Sequence, residues 1–168
     1  MKHTSSLASL CLALSACTYS GLPGDVPLSE LTEEQSQQLC TATDAYVDSS
    51  LSAQDRKTFS CNLAGSIAGA FVGEDAYTET CTEARQNCLD DDDQGGEEET
   101  SEESNCENAG VSNCTATVEQ YEACTREIVD TIKESNASFS CEDGPGTEEE
   151  GDEEETACEA YQKTCGGE

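Results

Sequence analysis

The sequence predicts an all-α fold: a small disulfide-stapled helical bundle, or two related helical modules, with disordered acidic loops. Three observations predict it. Apolar residues recur at helical spacing, capping boxes precede several of these runs, and cysteines are spread through them at intervals never shorter than seven positions. Alternating strand patterns are missing throughout the 168 residues.

Thr32-Glu33-Glu34-Gln35 has the form of a capping box, in which a Thr and a Gln three positions on satisfy each other's free amides, so a helix should begin there. Leu39, Thr43, Tyr46 and Ser50 mark one face, with Cys40 and Val47 beside it. Ser52-Ala53-Gln54-Asp55 offers a second start, after which Phe59, Leu63, Ile67 and Phe71 form an unbroken i, i+4 stripe. Gly65, Gly69 and Gly73 add two overlapping G-x-x-x-G steps between Leu63 and Gly73. In a bilayer such steps make a dimerisation face. Eleven mostly apolar residues are too few to span one, so the glycines favour close packing of two core helices, with a homo-oligomer contact as the other use.

A third amphipathic segment runs from about Asp75, with Tyr77, Cys81, Ala84 and Cys88 on its face. Thr117-Val118-Glu119-Gln120 is another capping box, and behind it Val118, Tyr121, Cys124, Ile128 and Ile132 repeat at helical spacing. The last element follows Thr156-Ala157-Cys158-Glu159, with Cys158, Tyr161 and Cys165 inward.

The chain opens differently. Met1, Lys2 and His3 make a basic start, and Leu7 to Leu14 an apolar stretch interrupted only by Ser9. Eight helical residues reach only about 12 Å, against the ~30 Å of a hydrocarbon core. This is the pattern of a signal peptide. Leu14-Ser15-Ala16-Cys17 resembles a bacterial lipobox. The resemblance implies cleavage before Cys17 and a Cys17 carrying thioether-linked diacylglycerol and an N-acyl chain, anchored stably because two or three chains hold where one is marginal. The other reading is an ordinary secretory signal cut nearby, for example after Ser15. Thr18 stands where Asp would favour inner-membrane retention, which directs the expectation to the outer membrane, on its periplasmic or surface face.

Residues 17–168 then hold six basic side chains against 37 acidic ones, no Trp and no His. Leu, Ile, Val and Phe number 19 in that stretch, well under the ~20% below which a highly charged composition predicts disorder. Ten cysteines must supply what the apolar residues cannot: Cys40, Cys61, Cys81, Cys88, Cys106, Cys114, Cys124, Cys141, Cys158 and Cys165. The count is even, and an exported location lets disulfides persist. Each closed loop of ~15 residues contributes up to ~3 kcal/mol in the chain-entropy model, so five bridges rival the ~5–15 kcal/mol net stability of an ordinary domain. Zinc is disfavoured, since its sites usually show cysteines two to four residues apart; no C-x-x-C pair supports a redox function.

Cys81 and Cys88, seven residues apart on a helix, sit about 10 Å from each other, beyond the ~7 Å that a bridge can span. Each must staple its helix to another segment, and the same holds for Cys158 and Cys165. Expected pairings are Cys124–Cys165 with Cys141–Cys158 as a nested hairpin, and Cys106–Cys114 as a local loop. There is also an internal echo: Cys40-Thr41, Phe59-Ser60-Cys61 and Cys81/Cys88 are answered by Cys124-Thr125, Phe139-Ser140-Cys141 and Cys158/Cys165, which favours two related modules.

The expected organisation is a signal peptide over 1–16, a lipidated tether over 17–31, a helical module over 32–89, an acidic disordered linker over 90–105, and a second module over 106–168 with an acidic loop at 142–155. Residues 90–104 hold nine acids and 142–155 another nine, with no basic residue in either. Like charges there push the backbone apart.

A net charge of -30 excludes nucleic-acid binding, which needs clustered Lys and Arg. It would also repel anionic lipid, so membrane attachment falls to the lipid on Cys17. With no His after residue 3, no Ser-His-Asp or Cys-His constellation can form, and G-x-S-x-G, P-loop and H-E-x-x-H motifs are missing. A two-carboxylate hydrolase is formally open, but nothing singles out one carboxyl. Asp90, Asp92 and Gln94, followed by Gly95, copy the opening of an EF-hand loop, yet Ser101 holds the closing position and Glu102 falls one residue late. They are weak calcium candidates, and no other cofactor is expected.

In its lipobox, its well-spaced cysteines and the stretch from Cys114-Thr115-Ala116-Thr117-Val118 to Glu122-Ala123-Cys124, the chain resembles the uncharacterised cysteine-rich lipoproteins of myxobacterial-type genomes. That resemblance implies a location and a class, without an activity. The expectation is a non-catalytic, lipid-anchored envelope protein with a structural or interaction role and a cationic protein or peptide as partner. The alternative is an acidic protein that binds calcium or other divalent cations. Oligomeric state is left open.

Overall fold

The computed structural model describes residues 18–91, 106, 114–144 and 155–165. Among them the chain is all-helical: α1 Glu33–Ser50, α2 Ala53–Ala70, α3 Glu74–Asp90, α4 Val118–Ser138 and α5 Ala157–Cys165, with 3-10 turns at Leu28–Glu30 and Cys141–Asp143. No strand forms among these residues; Pro27 and Thr117 make one isolated antiparallel bridge.

The helix starts follow from the caps. Thr32 with Gln35, Ser52 with Asp55, and Thr117 with Gln120 each close a reciprocal capping box. Thr156 and Glu159 exchange the same pair of bonds ahead of α5. At α2 the Ser52 hydroxyl and amide both donate to Asp55, holding its carboxyl below the ordinary value. Between α2 and α3 the chain reverses through Gly73 at φ +80°, a conformation that a residue without Cβ adopts at little cost.

α2 and α3 form the most extensively packed pair of helices. Their closeness comes from glycine. A Cβ on Gly65 would lie 2.8 Å from the Cys81 carbonyl oxygen, and one on Gly69 would lie 2.8 Å from the Tyr77 ring. The G-x-x-x-G spacing therefore serves helix–helix contact, but the apolar stripe of the same helix does not join it. Leu63 and Gly65 stand about 200° apart around the axis, so burying one exposes the other. Leu63 is 51% exposed, Ile67 49% and Phe71 86%, while Phe59 is half-buried.

Two small apolar clusters replace a single core. Leu22, Leu28, Leu39, Cys114, Ala116 and Val118 form the first, with Tyr121 and Tyr161 packed against it; Tyr77, Cys81 and Cys141 form the second, with Phe139 against them. Val118 opens the 21-residue α4 and Phe139 follows its last turn, so the clusters lie about 30 Å apart along that helix.

The segment expected as a free tether is folded from Thr18 onward. Leu22 and Leu28 are buried in the first cluster, and Leu28 and Ser29 donate their amides to the Ala116 and Cys114 carbonyls at 2.8 and 3.2 Å. Apart from the 3-10 turn at Leu28–Glu30 the segment is irregular, and irregular backbone packs well when its amides find partners. The inward face of α4 is also rotated from its periodicity: Val118, Glu122, Cys124 and Val129 are buried, whereas Ile128 is 51% exposed.

Five disulfides tie these pieces together: Cys40–Cys106, Cys61–Cys88, Cys81–Cys141, Cys114–Cys165 and Cys124–Cys158, with Cα–Cα distances of 4.3–5.8 Å. Cys81 and Cys88 do staple α3 to two different segments, and Cys158 and Cys165 do the same for α5. The three expected pairings are not the ones formed. Cys165 reaches back to Cys114 beside the start of α4, which leaves Cys124 for Cys158 on the neighbouring turns of α4 and α5. Cys141, held beside Tyr77, takes Cys81. Nor does the connectivity repeat between the two halves of the internal echo. Cys81–Cys141 crosses from the first cysteine set to the second, Cys40 pairs with Cys106, which belongs to neither set, and α2 packs on α4.

Candidate functional site

Glu122 is a charged side chain with no exposed surface. It stands one turn after Val118, on the inward face of α4. Its Oε2 accepts from the Tyr19 amide at 2.8 Å and from Arg126 Nη2 at 3.0 Å; its Oε1 accepts from the Ser20 amide at 3.0 Å and the Ser20 hydroxyl at 2.6 Å. A buried carboxylate is tolerated only when paired and hydrogen-bonded, and here both oxygens are satisfied. The arrangement clamps the first described residues of the chain onto α4.

Four of the five tyrosines collect around this clamp. Tyr19 stacks on Tyr46 with centroids 4.6 Å apart, and Tyr121 meets Tyr161 edge-on at 5.8 Å. The Arg126 guanidinium lies 5.4 Å from the Tyr19 ring centroid. Burial raises the Tyr19 phenol above its ordinary 10.0, against the lowering effect of hydrogen bonds to Thr125 and Thr43. Burial raises Tyr161 too, with Tyr121 adding to the effect.

At the other end of α4 a polar chain crosses three helices. Arg85 Nε donates to Asn62 Oδ1 at 2.6 Å, Asn62 Nδ2 to Asn136 Oδ1 at 3.2 Å, and Asn136 Nδ2 to the Asp55 carbonyl at 2.8 Å. Asn62 is buried, so the chain fixes how α2, α3 and α4 meet. Beside it an open cleft of about 250 Å³ is lined by Thr82, Arg85, Phe139, Ser140, Cys141 and Glu142. It offers one guanidinium and one carboxylate, with no nucleophile and base in hydrogen-bond reach of each other.

The outer face of α2 and the turn after it carry four of the five exposed large hydrophobic side chains among the described residues. Leu63, Ile67, Phe71 and Val72 are all about half exposed or more. The stretch that carries them, residues 56–73 of α2 and the turn after it, contains no acid, and Arg56 and Lys57 stand at its start. Glu74, Asp75 and Glu79 follow immediately on α3, all exposed.

Of the residues singled out by sequence, Cys17, Asp92 and Gln94 lie outside the described residues. Asp90 ends α3 and accepts from Gln86 Nε2 at 2.8 Å. Cys40, Asp44 and Cys106 bring three ligand-type atoms within 4.8 Å of one another, but the two sulfurs are bonded together and an oxidised pair offers no thiolate to a metal. Glu122, Ser20 and Asn62 were not anticipated. Glu122 had a signal: an acid four residues after Val118 and four before Arg126, the spacing at which opposite charges meet on one helical face. No described helix is long and apolar enough to cross a membrane. Comparison with protein-family models, with curated proteins and with solved structures finds no match.

Proposed function

We propose that the chain is an exported, lipid-anchored and non-catalytic protein that acts by binding a cationic amphipathic partner on the outer face of α2. The disulfides support export, and Cys17 supports the anchor through its lipobox context. The observation that carries the binding role is the exposed stripe of Leu63, Ile67 and Phe71. A chain so short of apolar residues leaves these three in solvent while Gly65 and Gly69 make the helix contact. Contiguous exposed apolar surface marks interaction sites.

Charge selects the partner. A second copy, also at -30, is repelled, and so is an anionic surface. A helix with an apolar face and flanking Lys or Arg would cover the stripe and place its cations near Glu74, Asp75 and Glu79. The test is a titration of the oxidised protein with a Leu/Lys amphipathic helical peptide, beside a Leu/Glu peptide of the same length. The proposal expects saturable binding of the Leu/Lys peptide alone, lost in Leu63→Ser/Ile67→Ser/Phe71→Ser with the disulfides intact. Equal binding by that variant would reduce the effect to general attraction between opposite charges, and the role assigned to α2 would be withdrawn.

A further inference from the structure

We infer that the tyrosine-rich end of the molecule seats in the zwitterionic headgroup layer of the membrane, with the body held there rigidly and the α2–α3 turn pointing away. The inference rests on the lipidation of Cys17 proposed above and adds to it an orientation and a contact surface.

Tyr19 and Ser20 are locked to Glu122 through their backbone amides, so only Thr18 stands between the lipid-bearing position and the folded body. From Cys17 to Tyr19 the backbone spans at most about 7 Å, two steps of roughly 3.3–3.6 Å. The headgroup zone on one side of a bilayer is about as deep, roughly 5–8 Å, the difference between the full thickness and the hydrocarbon core shared by two sides. A body on so short a connection cannot stand clear of the membrane. A free segment of 14 residues, 18–31, would have reached roughly 45 Å.

The surface at that point suits the layer it meets. Tyr19, Tyr46, Tyr121 and Tyr161 are each half-buried around the clamp, and tyrosine concentrates at membrane interfaces because its ring is apolar and its hydroxyl is wet. Arg126, with 39% of its side chain exposed, can meet phosphate. Asp25 and Glu119, exposed at the same end where Glu119 donates its amide to the Gly24 carbonyl, can meet an ammonium and disfavour anionic lipid. The fifth tyrosine, Tyr77, is buried in the second cluster, past the far end of α4. The partner-binding stripe on α2 continues towards that end, since Gly69 packs on Tyr77 and Phe71 and Val72 follow.

The chain has no Trp, so its tyrosine emission can be read directly. The mature protein, purified from its membrane with its lipid, is placed in phosphatidylcholine vesicles with and without a spin-labelled headgroup lipid. The expected result is loss of most of the tyrosine emission with the label. In Tyr19→Phe/Tyr46→Phe/Tyr121→Phe/Tyr161→Phe, the remaining Tyr77 emission is expected to be unaffected. Intact mass on the same samples separates the two failures. An unmodified Cys17 would overturn the anchor and this inference together. A lipidated protein with unquenched emission, or equal quenching of the variant that keeps Tyr77 alone, would overturn the seating and leave the anchor standing.

Discussion

Glu122, buried on the second turn of α4, accepts the backbone amides of both Tyr19 and Ser20, more than one hundred positions earlier in the chain. This bond set turns an irregular N-terminal segment into part of the fold. Glu122→Gln should cost about 1–3 kcal/mol, because one strong charge-assisted acceptor is replaced by a neutral amide whose nitrogen faces donors. Ser20→Ala, which removes one donor and leaves the carboxylate its other three bonds, should cost about 1 kcal/mol. Urea unfolding with the disulfides intact measures both, and limited proteolysis should show residues near 18–31 cut first in Glu122→Gln.

Gly69→Ala tests the helix contact. In an exposed helix this change gains up to ~1 kcal/mol. Here the new methyl would lie 2.8 Å from the Tyr77 ring, and overpacking of that kind costs about 1–3 kcal/mol. The account expects a lower melting temperature. A rise would mean that α2 and α3 are not pressed together at this position.

Stability and binding should separate on α2. Leu63→Ser and Phe71→Ser remove side chains already in solvent, and surface changes of this kind stay within about 0.5 kcal/mol. Leu28→Ala, at 2% exposure in the first cluster, should cost about 2–5 kcal/mol. Thermal melts of the three variants give the comparison.

Alkaline pH offers a further check. The folded pKa of Tyr19 and Tyr161 is raised above 10.0 chiefly by burial. Between the unfolded and folded values the native state holds more protons, so this contribution is complete below about pH 10 and lost as pH rises through the folded pKa. Phenolate absorbance should therefore contain a late component that Tyr19→Phe/Tyr161→Phe removes, and denaturant midpoints should fall over the same pH interval.

Much of the fold was legible because its signals are local. The caps at Thr32, Ser52 and Thr117 involve residues three positions apart, and each begins a helix where the sequence says it should. Gly65 and Gly69 announced a close contact, and α3 proved its other side. What could not be read was which way a face turns. The stripe of Phe59, Leu63, Ile67 and Phe71 is a correct period with the usual sense of burial reversed, because small residues on the opposite side gave α3 a better fit. The tether failed for a related reason: nothing near Tyr19 in sequence names Glu122 as its partner. Disulfide partners are equally non-local, and Cys81–Cys141 depends on where Tyr77 and Phe139 come to rest.

The central claim is that crosslinks replace the apolar interior this composition cannot supply. Cys81–Cys141 and Cys40–Cys106 close separations of 60 and 66 residues, each contributing about 4 kcal/mol in the chain-entropy model. The most direct measurement is far-ultraviolet circular dichroism through a thermal melt, taken before and after complete reduction and alkylation. The account predicts that the oxidised protein, with all ten cysteines from Cys40 to Cys165 protected from alkylation, melts cooperatively, and that the reduced chain loses most of its helicity and its transition. A reduced chain that kept both the helicity and a cooperative melt would contradict it.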